Sequence, residues 1–201
     1  ARKSPPASRK EKEPFNNPDF RWALVLAIDP ISYMQTAYDG CAAMNPFPIV
    51  MNGPQMIQPY IEPLVAWLED FTIDVGGGEM VKVWDPTAPT RLVEDANKRG
   101  FQFPTDADTI RTSFGYGSWQ YNPEAAAKLL KKAGLTQGAD NKWSYKGQPF
   151  TFTVLTDSGI GRWPYQNALA AQVEWARFGL DARFEVTADP LRISMGQFDV
   201  A

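Results

Sequence analysis

Histidine is absent from the 201 residues and cysteine occurs once. Without an imidazole the chain has no Ser-His-Asp or Cys-His nucleophile, no His-ligated zinc and no simple charge switch near neutral pH. The lone thiol, Cys41, cannot close an internal disulfide and leaves the redox compartment open. Placed just after a helix, it reads as a small packed residue. No apolar run approaches the roughly 20 residues of a transmembrane helix, and no signal-peptide pattern is visible. Basic charge is not in excess either. A formal net charge of -3 and a pI near 5.1 give no global field for nucleic acid or an anionic membrane. The chain opens on Ala1 rather than Met, which is expected of a processed product, an expressed piece or a fragment.

Aromatic residues are what the chain has in quantity, with seven Trp and seven Tyr. They are enough to floor a binding site as well as fill a core. The length suits one large domain or two small ones. Residues 1–13 differ from the rest: Arg2, Lys3, Arg9, Lys10 and Lys12 lie among Ser, Pro and Ala without a large apolar residue. That composition predicts a disordered basic linker or tail, because it buries too little surface to order itself. A nucleic-acid role would rest on this segment alone, so none is expected.

The stretch from Pro14 to Pro30 is the organising helix. Asn17 is a suitable N-cap, Pro18 fits the first helical position and Asp19 opposes the helix dipole. Trp22 to Ile28 has no polar residue, so burial on every side is expected. Pro30 ends that helix and opens a second, to Tyr38, with Asp29 as N-cap and Gly40 as stop. Residues 43–59 read as a proline-punctuated loop. Ile61, Leu64, Val65 and Leu68 follow at helical spacing. Phe71–Val75 and Met80–Trp84 suggest a hairpin around Gly76-Gly-Gly-Glu79. Pro89–Arg99 reads as a polar helix, and Thr105 with Asp108 as a capping box for a helix to Phe114.

Asn122–Ala133 is the cleanest helix, with Ala126, Leu129, Leu130 and Ala133 as its buried stripe and Glu124 spaced to pair with Lys128. A hairpin turning at Lys146-Gly147 leads into a core strand, Phe150–Thr156. A glycine-rich loop, a helix from Pro164 to Phe178 and a strand from Leu180 to Thr187 follow, and Phe198–Ala201 begins a third strand. Strand, helix, strand predicts a parallel crossover, and the chain is expected to be α/β.

Few constellations carry chemistry. Glu69-Asp70 and Glu94-Asp95 point about 100° apart on helices and do not converge. Asp106-Ala-Asp108 lacks the glycine and terminal glutamate of a calcium loop. Gly76-Gly-Gly-Glu79 and Gly115-Tyr-Gly117 are turns without phosphate-cradle context. The loop from Thr156 to Trp163 is different, since it leaves the carboxyl end of a core strand and enters a helix, where α/β folds bind ligands. Free amides there favour an anion, Arg162 can add a bidentate contact and Trp163 an apolar wall. No cofactor or metal is implied.

These segments together resemble the family 5 extracellular solute-binding proteins of ABC importers, the dipeptide- and oligopeptide-binding type. The resemblance is carried by Pro14-Phe-Asn-Asn-Pro-Asp-Phe-Arg-Trp-Ala-Leu with Ala27-Ile-Asp29, by Gly40-Cys-Ala, and by Tyr121-Asn-Pro-Glu-Ala-Ala-Ala-Lys-Leu-Leu with Ala133-Gly134. Trp143-Ser-Tyr-Lys-Gly, the alternation from Phe150 to Leu155, Phe178-Gly-Leu180 and Gly196-Gln-Phe-Asp-Val200 complete it, in family order and at comparable spacing.

The resemblance implies one lobe of a two-lobed type II periplasmic-binding-protein fold, with helices on a mixed sheet. Residues 14–201 would be a partial lobe, carrying an insert at about 67–114. It implies a periplasmic or cell-surface monomer that captures a short peptide between lobes and delivers it to a membrane permease, without being an enzyme. Asp157, Ser158, Arg162 and Trp163 would be the contacts on this side, and Arg192 would lie near the ligand's carboxyl end. The aspartate that pairs with a peptide's α-amino group would fall after Ala201. Two alternatives stay open: an oligosaccharide ligand stacked on rings such as Trp119 or Trp163, and a carboxylate-based hydrolase, which needs two converging acids.

Overall fold

A computed structural model of the chain describes residues 13–47, 53–158 and 162–200. All of the expected basic tail except Glu13 lies outside them, as do residues 159–161 of the glycine-rich loop and the side chain of Arg162. The chain is α/β.

Helix α1 (Pro18–Leu26) begins as its sequence requires: the Asn17 side chain accepts from the Asp19 N–H at 2.9 Å. Phe20, Ala23, Leu24 and Leu26 are buried, but burial on every side does not hold. Arg21 is exposed and Trp22, Val25 and Ile28 are only half-buried. The chain breaks at Ala27 and re-enters helix α2 (Pro30–Tyr38), with Asp29 capping the Ile31 N–H at 2.9 Å. That change of direction leaves the Val25–Ile28 side of α1 facing a cleft. Asp39 and Gly40 close α2 in left-handed conformations, φ 56° and 76°. The turn throws Cys41 outward, where it is exposed rather than packed.

Residues 54–68 are helical where loop was expected up to residue 59. Pro54 opens α3 (Pro54–Met56), a π turn spans Ile57–Ile61, and α4 (Glu62–Leu68) follows with Pro63 in its first turn. The wide turn accommodates Pro59, which has no N–H to give an ordinary helical bond. Strands β1 (Thr72–Asp74) and β2 (Met80–Lys82) form the expected hairpin. Trp84 leaves it for β3 (Trp84–Asp85), which pairs with β4 (Ser118–Trp119).

Helix α5 (Ala88–Lys98), although polar in composition, buries Leu92, Val93 and Ala96 completely. Helix α6 (Ala107–Phe114) is capped by Asp106 rather than Thr105, the carboxylate accepting from the Thr109 N–H at 2.8 Å. Met34, Met44, Leu92, Val93, Ile110 and Phe114 make a satellite core there.

Helix α7 (Pro123–Lys132) lies along α1 in the main core, burying Ala125, Ala126, Leu129 and Leu130. The Asn122 N–H donates to the Leu26 carbonyl at 2.9 Å. Lys128 reaches Glu79, at 2.6 Å, rather than the expected Glu124. Strands β5 (Leu135–Gln137), which the sequence did not announce, β6 (Trp143–Tyr145) and β7 (Gln148–Pro149) form a small antiparallel sheet. Strand β8 (Thr151–Asp157), helix α8 (Arg162–Arg177) and parallel strand β9 (Asp181–Thr187) then form the crossover, and Val200 bridges Val154 in parallel on the other edge. A short helix, α9 (Pro190–Ser194), follows β9.

Helix α8 is fixed to α1 and α2 by two adjacent residues. The Trp175 indole N–H donates to the buried Leu24 carbonyl at 2.9 Å. The buried Glu174 carboxylate accepts from the Asp29 N–H (3.3 Å), the Ser32 hydroxyl (2.7 Å) and the Arg177 guanidinium (2.6 Å). Removing an acceptor or donor from such a buried set strands its partners, which costs about 1–3 kcal/mol. Glu174→Ala and Trp175→Phe are therefore each expected to lower unfolding free energy by about 1–3 kcal/mol. Urea denaturation measures this, and unchanged midpoints in both variants contradict the assignment.

Candidate functional site

The sequence-predicted contacts gather beyond the carboxyl ends of β8 and β9. Asp157 closes β8, in register with Thr187 of β9, and is only 7% exposed. Ser158 is exposed, and its N–H donates to the Thr187 carbonyl at 2.9 Å. Arg162 supplies the first residue of α8. Trp163 is 54% exposed and stacks on Tyr38, with centroids 5.1 Å apart and rings 24° from parallel. Arg192, on α9, is engaged within the chain: its guanidinium donates to both Glu185 oxygens, at 2.5 and 3.3 Å. That pairing draws the Glu185 carboxyl below its usual range. Asp157 is thus largely sealed and Arg192 already paired, leaving Ser158 and Trp163 facing outward.

The Trp163–Tyr38 stack leads into a feature that the sequence reading missed. Trp163, Asn167, Ala171 and Trp175 recur every four residues and form one stripe along α8. Pro30, Tyr33, Met34 and Tyr38 form the facing stripe of α2. Between them lies a cleft of about 460 Å³, closed at the back by Val25 and Ile28 and on its far side by Ala43–Pro46 and Ser118-Trp119. This volume falls in the range of small-ligand sites. The apolar surplus of α1 thereby faces a cavity as well as a core.

No charged residue is among those lining this cleft. Its polar equipment is neutral, comprising Asn45, Ser118, Asn167 and the two tyrosines. The Asn167 side-chain oxygen is buried without a hydrogen-bond partner among the described residues, an arrangement that costs free energy unless something donates to it. Rings of Tyr33, Tyr38, Trp119 and Trp175 supply apolar wall. The arrangement suits a neutral, partly apolar group that carries an N–H or O–H donor. It offers no pair of carboxylates for acid–base work, and no group of His, Cys, Asp or Glu among the described residues is arranged to hold a metal ion.

A separate cleft of about 490 Å³ lies between α4, α5 and α6, lined by Glu62, Glu69 and Arg111 among others. It is similar in volume but is built from residues 62–116 only, away from the carboxyl ends of the parallel strands. The sequence signal for the α2–α8 cleft was present in the four-residue recurrence on α8, where polar Asn167 interrupts an apolar stripe.

Burial pushes the Tyr33 phenol up to about 12, helped by neighbouring Tyr38. The folded chain therefore holds this proton more tightly than the unfolded chain, whose tyrosines titrate at about 10. The contribution to stability is complete below about pH 10 and is lost as pH rises through about 12. Phenolate absorbance is expected to show a late step as pH rises through about 12, and Tyr33→Phe to remove that step. A Tyr33→Phe titration curve lacking an early step instead would contradict the burial argument.

The profile of the bacterial extracellular solute-binding proteins, family 5 (middle region), matches residues 6–201. No curated protein matches the chain. Among solved structures, NikZ from Campylobacter jejuni in complex with Ni(L-His) aligns with a TM-score of 0.52 at 15% identity, covering 94% of this chain and 26% of its own. NikA from Brucella suis in complex with Fe(III)-EDTA gives 0.51 at 17%, covering 90% and 26%. A mannohexaose-bound periplasmic oligopeptide-binding protein from Thermotoga maritima gives 0.50 at 20%, covering 88% and 23%. The chain thus spans about a quarter of the length of each of these structures, and identities this low speak for the fold alone.

Proposed function

Because the chain belongs to the bacterial extracellular solute-binding proteins of family 5, we propose that it supplies part of one lobe of an ABC importer's solute-binding component, not an enzyme. It captures a short peptide in a cleft between two lobes and delivers it to a membrane permease. Residues 14–201 are the partial lobe, with residues 67–114 inserted in it, and the complete protein works as a monomer outside the cytoplasmic membrane. No described helix is long and apolar enough to cross a membrane.

The observation that carries this reading is the uncharged α2–α8 cleft, joined through the Tyr38–Trp163 stack to the end of the parallel strands. A peptide side chain enters the cleft, its backbone passing Ser158 and the start of α8. Ligand contacts on both lobes then stabilise the closed state in proportion to the difference in affinity between closed and open forms. Arg162 and Arg192 would act at the rim, Arg192 by exchanging Glu185 for a ligand carboxylate.

One observation favours a second reading within the same family. The cleft walls are aromatic and its polar groups neutral, which also suits a sugar ring stacked on Trp119 or Trp163, and the Thermotoga maritima relative was solved with mannohexaose.

Calorimetric titration of the full-length protein against a mixture of short peptides, and separately against mannooligosaccharides, discriminates the two. Binding of peptides only is the expected result. Heat with the oligosaccharides alone replaces the peptide reading, and no heat with either sinks both. In the binding form, Trp163→Ala is expected to weaken the ligand about tenfold, on the scale of an aromatic contact of 0.5–1.5 kcal/mol.

A further inference from the structure

We propose that Asn167 is the specificity-determining residue of the α2–α8 cleft, and that the cleft takes an uncharged aromatic ring with a hydrogen-bond donor on its edge, a phenol or an indole. The proposal rests on the reading of this cleft as the ligand site. It adds the chemical group that is selected and the side chain that selects it.

Among the described residues, Trp84 Nε1, Trp143 Nε1, Gln166 Oε1 and Asn167 Oδ1 are buried without a hydrogen-bond partner. Asn167 is the one of these that lines the α2–α8 cleft. The helix sets its place: Ala170 is fully buried, while Asn167 shares the cleft face with Ala171 and Trp175. Ala171, one turn further on, is too small to cover the amide. The Asn167 oxygen is screened from bulk water, so solvent does not supply the missing donor. A leucine of similar size would suit an aromatic-walled cleft and leave no acceptor unpaired. The amide therefore costs stability that nothing in the described fold offsets. A group that enters the cleft and donates to the oxygen offsets it. The terminal torsion of asparagine is broad, and no partner among the described residues holds this oxygen, so a turn of the amide brings it to such a donor.

The walls define what carries the donor. Tyr33 and Tyr38 come from α2, Trp175 from α8 and Trp119 from β4. A flat ring entering between the helices thus meets rings from separate elements, in the offset or edge-on contacts that aromatic pairs favour. A charged group is excluded, because it would lose its hydration with no opposite charge in the lining to replace it. The walls stay neutral as well, since burial keeps the Tyr33 phenol protonated up to about 12. An aliphatic group fills the space but leaves the Asn167 oxygen unpaired. A neutral ring with a donor on its edge meets every one of these conditions.

Such a ring belongs either to a tyrosine or tryptophan side chain of a peptide or to a free aromatic molecule, and the probes separate these sources. Alanyl-tyrosyl-alanine is paired with alanyl-phenylalanyl-alanine, p-cresol with toluene, and indole with indene, so that each pair differs by the donor. All are titrated into the full-length protein, with the chemical shifts of its tryptophan indole protons as readout. In at least one pair, the affinity ratio of donor-bearing to donor-free probe is expected to be about fivefold larger in the wild type than in Asn167→Leu, the scale of one neutral hydrogen bond. Comparing the ratio between the two proteins removes the different hydrophobicity of the probes. An effect in the tripeptides alone assigns the peptide source, and an effect in the cresol or indole pair shows that the free ring suffices.

Asn167→Ala, which cannot overpack the cleft, is expected to lose the ratio in the same way. Asn167→Leu is further expected to keep or raise the thermal midpoint of the protein without probe. Alanyl-lysyl-alanine and alanyl-glutamyl-alanine are expected to bind more weakly than the tyrosyl peptide. A ratio unchanged in both variants, a midpoint that falls in Asn167→Leu, charged tripeptides that bind as tightly as the tyrosyl one, or no binding by any probe overturns the proposal. The transport reading fails separately, through silent titrations with peptide and oligosaccharide mixtures, and can do so while the cresol and indole ratios stand.

Discussion

Two neighbouring side chains on α8 hold the architecture that makes a cleft possible. Trp175 ties the crossover helix to the backbone of α1, and Glu174 ties it to the first turn of α2. Both contacts are made near the carboxyl end of α8. The two helices run antiparallel, and their opposite ends are brought together by the Tyr38–Trp163 stack. A seam pinned at one end by buried hydrogen bonds and closed at the other by an exposed ring pair is firm at its base and adjustable at its mouth. A binding cleft benefits from that gradient, since an exposed stack resists displacement far less than a buried carboxylate with three donors.

Much of this organisation was readable in the sequence, because local chemistry and tertiary demand agree. Asn17-Pro18, Asp29-Pro30 and Asn122-Pro123 each place a capping side chain before a proline, and each opens a helix. The hairpins at Gly76–Gly78 and Lys146-Gly147 occur where positive φ is required, and the parallel crossover follows from strand–helix–strand order. What escaped were features decided by distant partners. Cys41 sits on the surface because the preceding turn swings outward, and α5 is buried although most of its residues are polar. Pro59 signals loop locally, yet the π turn absorbs it once Ile61 and Leu68 are held in the core.

The site was legible in part for the same reason. Position alone pointed to the loop after β8, and Ser158 and Trp163 do face outward there. Charge partners were invisible: nothing in the spacing of Glu185 and Arg192 announces that they meet across β9 and α9. The cleft itself needed two stripes, one on α2 and one on α8, separated by more than a hundred residues. Each stripe alone reads as ordinary core. Their juxtaposition leaves a space between them because Val25 and Ile28 stop short of filling it, and the buried Asn167 oxygen makes that space more than a packing defect.

Trp119, on the wall of this cleft, has a neighbour on either side: Trp22 at 5.3 Å with rings 89° apart, and Trp84 at 5.6 Å with rings 79° apart. Indoles this close, crossed at both contacts with Trp119, do not absorb light independently. Their excited states mix, and the chirality of the arrangement imprints paired bands of opposite sign on the circular dichroism spectrum. The middle chromophore of the trio is the one in contact with the cleft. The protein thus carries an optical antenna whose central member reports on whatever enters beside it, with no label attached.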